Sequence, residues 1–217
     1  TEAILPLCSR LLIWIIFLNT PSAVGERQIF PIQIKRILTK SASSYPILYM
    51  DNTHGDIVIL TGAGISQESG LETFRDKGGL WSKVNIEDVA TPKAYQNNPR
   101  KVQQFYNNRR RRMLNGLIKP NGAHNALAKL ENEWLSKKWG KVTVITQNID
   151  NLHELAGSEN LIHMHGEILK ARCQKCGYIF TCNMDLGFGE VCAGCDRINV
   201  LRPHVVWFGE TPLEMER

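Results

Sequence analysis

A short apolar segment followed by two closely spaced glycines limits the possible folds of this chain more than any other stretch. Within Asp56–Gly70, the residues Ile57–Leu60 are apolar and mostly β-branched, which predicts a buried strand. Gly62 and Gly64 follow, and because they lack a Cβ, main-chain N–H groups can approach a ligand closely. A strand, a glycine-rich turn and a helix in this order are typical of phosphate binding by free N–H groups and the helix dipole.

The glycine pattern is only part of a dinucleotide-binding motif. The full G-x-G-x-x-G pattern requires a third glycine where this chain has Gln67. It also requires an acidic residue roughly 20 positions further on, at the end of a second strand, and the sequence has none there. A tight structural turn without a ligand is therefore the alternative interpretation.

The composition is that of a globular protein. The 217 residues are 43% hydrophobic and 22% charged, without a low-complexity tract or an internal repeat. This length fits one domain, or one domain with a small insert. The formal net charge of +5 permits contact with nucleic acid without predicting it.

Four cysteines form two pairs that are typical of a metal site. Cys173 and Cys176 form one C-x-x-C pair, Cys192 and Cys195 form the other, and 15 residues separate the pairs. The pattern predicts a Zn²⁺ ion bound by four thiolates, which is structural because no coordination position is left for water. Cys182 is a fifth thiol that such an ion does not need. Clustered thiols favour a reducing compartment, so we expect a cytoplasmic protein.

Residues 1–50 allow three interpretations. The apolar segment Leu11–Leu18 follows Arg10 and precedes small and polar residues, which is the outline of a signal peptide, although export would conflict with the thiol pattern. Spanning a bilayer takes about 20 residues, so we expect no stable membrane insertion. Residues 26–43 contain four basic residues and one acid, which faintly suggests a mitochondrial location. The third interpretation is that this extension has no function in the protein.

Polar side chains follow a second predicted strand, Lys141–Thr146. Gln147, Asn148 and Asp150 come directly after it. Open α/β sheets bind their ligands beyond the carboxyl ends of parallel strands, so these residues are candidates for a binding site, although an ordinary polar loop would look the same. His165 precedes a glycine near another strand end, and histidine is well suited to accept a proton near neutral pH. A packed or surface histidine is the alternative.

A run of four arginines, Arg109–Arg112, lies inside a predicted helix, Pro99–Leu114. Such a run usually forms a solvated helix face. Tyr106 and Arg109 are three residues apart and therefore share one side of the helix. A phenol beside a planar guanidinium makes a good receptor for a carboxylate, which is the functional alternative.

Polar caps predict two further helices. Thr91 precedes Pro92 as a candidate N-cap, and Asn121 can cap a second helix. Apolar residues recur at helical spacing after Asn121, and His124 in this helix is expected to be structural.

Two other segments allow a functional and an ordinary interpretation. Leu71–Trp81 predicts a mobile loop anchored by Phe74 and Trp81, either a lid or a plain surface loop. Leu201–Glu210 has the composition of a strand. Its apolar part, Val205–Phe208, is either a core strand, which composition favours, or an exposed edge that adds an extended peptide.

Six motifs occur in order between Asp56 and Glu210. They are Thr61-Gly62-Ala63-Gly64-Ile65-Ser66, Thr73-Phe74-Arg75, Thr146-Gln147-Asn148-Ile149-Asp150, His163-Met164-His165-Gly166, the two cysteine pairs, and Val206-Trp207-Phe208-Gly209-Glu210. Together they resemble the sirtuins, the NAD-dependent protein deacylases.

The resemblance implies an α/β fold, a Rossmann-like parallel sheet domain with a small zinc-binding insert. It implies that NAD is a co-substrate and that acylated-lysine proteins or peptides are the partners, with nicotinamide and O-acyl-ADP-ribose as products. His165 is then the general base that activates a ribose hydroxyl. The residues implied to bind NAD are Gly62, Ala63, Gly64, Ser66, Phe74, Arg75, Trp81, Gln147, Asn148, Ile149 and Asp150. The residues implied to bind the substrate are Tyr106, Arg109, Val206, Trp207, Phe208 and Gly209.

Tyr106 and Arg109 match the Tyr-x-x-Arg feature of the sirtuin subgroup that removes succinyl and malonyl groups. The resemblance therefore implies removal of succinyl, malonyl and acetyl groups from protein lysines, with a preference for the two acidic groups because a guanidinium pairs well with their carboxylate.

The resemblance also implies a domain organisation. Residues 1–50 are an extension, 51–171 a Rossmann-like NAD-binding domain, 172–200 a zinc-binding domain, and 201–217 a return to the first domain with a strand at the peptide cleft. Family members continue with further strands that bind the adenosine half of NAD, so we expect the sheet and the cofactor pocket to be incomplete at the C-terminus.

Two other functions stay open at this stage. One is a non-catalytic remnant of a sirtuin that binds zinc and acyl-lysine peptides. The other is a zinc-ribbon module that binds nucleic acid through Arg109–Arg112, which leaves the motifs around Asp150 and His165 unexplained. We expect no nucleic-acid partner.

Overall fold

The computed structural model describes residues 55–73, 79–187 and 189–216. The predictions for residues 1–50, Phe74 and Arg75 lie outside these ranges. The strands are β1 (Ile57–Thr61), β2 (Val142–Thr146), β3 (Leu161–His163), β4 (Gly166–Cys173), β5 (Ile179–Thr181) and β6 (Leu201–Val205), and the helices are α1 (Ala63–Ser66), α2 (Leu80–Lys83), α3 (Ile86–Val89), α4 (Pro92–Asn97), α5 (Pro99–Leu114), α6 (Gly122–Ser136) and α7 (Leu152–Ala156).

Three parallel strands in the order β1-β2-β3 confirm the predicted α/β sheet. Alternate residues of β1 and β2 are buried, and Ile59 and Val144 are fully inaccessible to solvent. They pack against Leu127 of α6, and burial of each such aliphatic side chain stabilises the fold by about 1.5–3 kcal/mol. The sheet and α6 thus form a core below the carboxyl ends of the strands.

The helix caps follow the sequence closely. Thr91 and Asn121 accept main-chain N–H groups at the starts of α4 and α6, as predicted, and Asn98 caps α5 in the same way. The predicted helix after the glycine-rich turn is present as a single turn, α1. One local prediction was wrong, because Trp81 lies in the short helix α2 rather than in a loop.

The four arginines do not form a solvated face. Arg110 is fully buried and donates hydrogen bonds to the carbonyl oxygen of Ile168 (3.0 Å) and to Oδ1 of Asn107 (2.7 Å). Arg111 is exposed and pairs with Asp185. The prediction failed because the carbonyl acceptors of Arg110, those of Ile168 and Met184, come from distant parts of the chain.

A second sheet is antiparallel, with the order β5-β4-β6. All five residues of β6 are buried, so Leu201–Glu210 does contain a core strand, although only its first half is a strand. The strand ends at Val205, so Val206–Gly209 lies in the loop that follows rather than in an edge strand. Strand β6 pairs with β4, while the three parallel strands form a separate sheet.

A second core lies between the helices and the antiparallel sheet. It contains Val102 and Tyr106 of α5, Leu152 of α7, Ile168 of β4 and Trp207. Among the described residues, no helix has both the length and the apolar character needed to cross a membrane.

Candidate functional site

The three parallel strands end side by side, and most of the predicted site residues follow these ends. Thr61, Thr146 and His163 are the last residues of β1, β2 and β3, and Thr146 is the register partner of both of the others. Gly62 continues from β1, and Gln147 continues from β2 with its N–H donated to the carbonyl oxygen of Thr61 (2.9 Å). The structure therefore brings the glycine turn and the polar segment together, in the region where open α/β sheets bind ligands.

A hydrogen-bonded network of buried polar groups fixes the glycine turn against this polar segment. The amide Nδ2 of Asn148 donates to the carbonyl oxygen of Gly62 (3.0 Å) and to Oγ of Ser66 (3.1 Å), and Ser66 donates to Oδ2 of Asp150 (3.0 Å). Burial raises the pKa of Asp150, although hydrogen bonds from the Leu152 amide and from Ser66 oppose this effect. The network links four of the residues that the resemblance assigned to the cofactor.

The glycine turn itself is open on one side. A Cβ added to Gly62 meets only Oε1 of Gln147, at 3.9 Å, among atoms within 4 Å. Ala63 and Gly64 begin the one-turn helix α1, and the first N–H groups of a helix have no acceptor within it. Because α1 is only one turn long, its dipole is small, and this turn attracts an anion through hydrogen bonds from these N–H groups.

His165 lies between β3 and β4 and has one fixed partner. Its Nδ1 is 2.9 Å from the carbonyl oxygen of Gln147, and since a carbonyl only accepts, Nδ1 carries the proton. Burial lowers the pKa of His165, although the hydrogen bond to Gln147 opposes this. The imidazole is therefore neutral at pH 7, with Nε2 as the nitrogen that can accept a proton.

Gly166 holds His165 in place through a close approach of two main chains. Its φ of +79° lies in the left-handed region, and an added Cβ would be 2.2 Å from the carbonyl oxygen of His204. Only glycine fits this position.

Two further histidines, whose role no sequence pattern indicated, contact residues of the strand end and of the network. His124 and His153 are both fully buried, with ring centroids 5.0 Å apart. Nε2 of His153 is 3.0 Å from Oγ1 of Thr61, and Nε2 of His124 is 3.5 Å from Oγ of Ser66. Burial lowers the pKa of each to about 4, so both are neutral. The structural role expected for His124 agrees with its part in the capping box of α6.

His163 differs from its neighbours because it forms an ion pair. Its Nε2 is 2.8 Å from Oε1 of Glu154, and its Nδ1 is 3.2 Å from the carbonyl oxygen of Asn148. Burial alone would lower the pKa of His163, but the hydrogen bond and the charge of Glu154 raise it. This ion pair supports the segment that follows β2.

A group of aromatic side chains forms the second part of the site. The ring of Trp81 stacks on Phe105 (6.3 Å between centroids) and meets Phe208 edge-on (6.1 Å). The guanidinium carbon of Arg109 lies 3.7 Å from the Phe105 ring centroid. Phe208 is 46% exposed, so this aromatic surface is open to a ligand.

Tyr106 and Arg109 differ in their surroundings. Tyr106 is buried, and this burial raises its pKa, whereas Arg109 is half-buried at the edge of the aromatic group. Burial lowers the pKa of Arg109 to about 10, so it stays charged at neutral pH. Among the described residues no acidic side chain lies within salt-bridge distance of Arg109.

The remaining predicted residues have clear positions. Ile149 is half-buried and its carbonyl accepts the N–H of Ile168 (2.7 Å). Val206 donates its N–H to the carbonyl of His165 (2.9 Å), which joins the substrate segment to the predicted base. Trp207 is buried, and Gly209 is exposed with φ +90°.

The four paired cysteines converge at one end of the antiparallel sheet. Their sulfur atoms all lie within 4.8 Å of one another, with Cys173 3.8 Å from Cys195 and Cys176 3.7 Å from Cys192. In a tetrahedral zinc site with Zn–S bonds of about 2.3 Å, the sulfurs are about 3.8 Å apart. The donor set therefore fits one Zn²⁺ ion, while Cys182 bonds the carbonyl of Met184 instead.

Comparison with known proteins adds to this geometry. The sequence matches the Sir2 family over residues 62–217. It is 57% identical over 161 residues to the NAD-dependent protein deacylase SIR2rp3 of Leishmania major, covering 74% of this chain and 65% of that protein. It is 54% identical over 162 residues to the NAD-dependent protein deacylase of Pasteurella multocida, covering 74% of this chain and 67% of that protein.

Solved structures give the same result. A Sir2 homologue in complex with NAD is 41% identical, with a TM-score of 0.59, and the match covers 73% of this chain and 59% of that chain. A mutant Sir2 homologue in complex with ADP-ribose is 40% identical, with a TM-score of 0.62, over 73% of this chain and 61% of that chain. The chain thus spans 59–67% of the length of these four proteins. The extent of these matches, together with the polar network, the placed histidine and the four-cysteine centre, shows that the chain belongs to the Sir2 family.

Proposed function

We propose that this chain is an NAD-dependent protein-lysine deacylase. The observation that carries the proposal is His165: a neutral histidine with Nδ1 bonded to Gln147 and Nε2 free to accept a proton, next to a polar network at the strand ends. The relatives named as NAD-dependent protein deacylases support it.

The donor set of the site fits a nucleotide. Main-chain N–H groups of the glycine turn suit a pyrophosphate, and Asn148 and Asp150 offer a carbonyl and a carboxylate to ribose and amide groups. When bound, NAD supplies a ribose carbon from which nicotinamide leaves. Nε2 of His165 would take the proton from a ribose hydroxyl, and the aromatic surface at Trp81 and Phe208 would keep water away from the reacting atoms.

The test uses zinc-loaded protein, NAD and an acyl-lysine peptide, with release of nicotinamide and of the free lysine peptide as readouts. His165→Asn is the informative variant, because its amide can still donate to the carbonyl of Gln147 but cannot accept the proton. We expect its turnover to fall by a factor of about 10²–10⁴ with zinc content and thermal stability unchanged. Peptide binding without any turnover by the unmodified chain would favour the non-catalytic alternative and refute the proposal.

We also propose that the acyl group is acidic, succinyl or malonyl. A half-buried guanidinium with no carboxylate partner among the described residues supports this, because such a cation gains most from an incoming carboxylate. Arg109→Gln should reduce desuccinylation at least about tenfold more than deacetylation. Arg112→Gln removes the same charge from the exposed end of α5 and is the matched control. Equal losses of both activities in Arg109→Gln would contradict the assignment.

The absence of a nucleic-acid partner and the cytoplasmic location remain predictions. Two observations support them. Arg110 and Arg111 are engaged by protein groups and so offer little to a phosphate backbone, and no disulfide links the five cysteines among the described residues.

A further inference from the structure

Two arginines face each other across the antiparallel sheet. Arg172 of β4 and Arg202 of β6 are direct register partners. Like charges in directly opposite positions destabilise a pair of strands, and the cost is larger here because the Arg202 side chain is only 5% exposed. This arrangement therefore requires a negative charge between the two strands.

Glu210 provides that charge. Arg202 donates two hydrogen bonds to its carboxylate, from Nη1 to Oε1 (2.6 Å) and from Nη2 to Oε2 (3.0 Å). Nη2 of Arg172 is 3.2 Å from both carboxylate oxygens. A bidentate contact to one buried guanidinium and a shared contact to a second make this a charge-assisted bridge rather than a surface ion pair.

The same carboxylate determines the shape of the segment Val206–Gly209. Oε2 of Glu210 accepts the N–H of Trp207 at 2.8 Å. The guanidinium carbon of Arg202 lies 3.2 Å from the centroid of the Trp207 ring. The main chain and the side chain of Trp207 are therefore both held by the bridge.

The bridge connects the proposed substrate surface with the cysteine centre. The Trp207 ring packs on Tyr106 (6.4 Å between centroids), and the next residue, Phe208, meets Trp81. On the other side, Arg172 directly precedes the cysteine ligand Cys173 in β4. One carboxylate thus contacts both the substrate segment and the strand that ends at the cysteine centre.

We propose that Glu210 is a positioning residue for the acyl-lysine peptide. By neutralising Arg172 and Arg202 together, it fixes Val206–Gly209 in the conformation that receives the peptide, and it couples this conformation to the cysteine centre. This inference rests on the proposed function. It predicts an effect on the peptide without an effect on NAD, because among the described residues no hydrogen bond joins the bridge to the polar network at the strand ends.

The first experiment compares Glu210→Gln, Arg172→Gln and the double variant. Glu210→Gln leaves the two arginines unneutralised, so we expect the KM for the peptide to rise at least about tenfold, with the KM for NAD changed less than about twofold and zinc content retained. The double variant removes the repulsion and should recover part of the peptide affinity. An unchanged KM for the peptide, a parallel rise in the KM for NAD, or no recovery in the double variant would overturn the inference.

A second measurement does not depend on activity. Hydrogen exchange at the amides of residues 206–210 should become faster in Glu210→Gln and after zinc removal, while β1 and β2 stay protected. If the unmodified chain turns over no acyl peptide, the proposed function fails, and unchanged exchange in Glu210→Gln is what overturns the positioning role. If Glu210→Gln does not fold, Arg172→Gln, which removes the more exposed partner, replaces it. Exchange at the amides of residues 206–210 should then become faster by a smaller factor, and unchanged exchange would overturn the inference.

Discussion

The buried pair His124 and His153 should make the folded chain lose stability in mildly acidic solution. Each side chain is fully buried, and its pKa falls from the ordinary value of 6.5 to about 4. Because the pKa is lower in the folded than in the unfolded chain, the unfolded chain takes up protons first as the pH falls. The contribution of each histidine is complete above about pH 6.5 and is lost between that value and about pH 4.

The size of the effect follows from these pKa values. For one such histidine, linkage gives a loss of about 2 kcal/mol in the free energy of unfolding between about pH 8 and about pH 5. Two independent histidines would lose about 4 kcal/mol, but the rings of His124 and His153 are only 5.0 Å apart, so their protonation is coupled and the two losses are not additive. For a domain of typical stability this is a large fraction of the total.

Urea unfolding at the two pH values, for the unmodified chain and for His124→Gln and His153→Gln, measures the effect. Each variant lacks one titrating group, so between the two pH values its stability should fall by clearly less than that of the unmodified chain, with a difference of up to about 2 kcal/mol. His163→Gln is the opposing control: the pKa of His163 is raised in the folded state, so its loss should make the acid sensitivity larger. Protonation of the cysteine ligands also changes stability with pH, but it affects all four proteins equally and therefore cancels in the differences between them. The same pH dependence in His124→Gln, His153→Gln and the unmodified chain would refute the reasoning.

Two further predictions concern the support of the site. Gly166→Ala should reduce the free energy of unfolding by clearly more than the control variant Gly157→Ala. Both glycines have a positive φ, at which an alanine is strained by about 1–2 kcal/mol. Only at Gly166 would the added Cβ also clash with the main chain, at the carbonyl of His204. Urea unfolding measures both, and equal losses would contradict the close approach. Cys192→Ser should release the metal and increase proteolysis within residues 172–200, whereas Cys182→Ser should retain the metal. The zinc content of the purified proteins measures this difference. Metal loss in both variants would contradict a four-cysteine centre.

Local features of this fold were readable from the sequence. The strands β1 and β2, the bounds of α5 and the caps Thr91 and Asn121 follow from apolar patterns and from side chains that bond their own helix. The cysteine pairs were equally readable, because the spacing of two ligands within one knuckle is a local property.

Features that depend on distant contacts were not readable. Burial of Arg110 requires the carbonyls of Ile168 and Met184, which no local pattern reveals. The pairing of β6 with β4 and the charge bridge at Glu210 are likewise set by tertiary contacts. His153 gave no signal at all, since a single histidine in a five-residue helix resembles any surface histidine. The contacts of His153 with Thr61 and of His124 with Ser66 join residues far apart in the sequence, so they can be recognised only in the folded structure.

Calorimetric titration of NAD into zinc-loaded protein tests the central claim most directly, namely that the glycine turn and the polar segment after β2 form one dinucleotide site. Asn148→Ala removes the amide that joins Gly62 to Ser66, and Asn125→Ala removes an exposed amide from α6 as the control. We predict saturable binding of one NAD by the unmodified chain and by Asn125→Ala, with affinity reduced at least about tenfold in Asn148→Ala. Absence of binding by the folded, zinc-loaded chain, or equal affinity in all three proteins, would contradict this account.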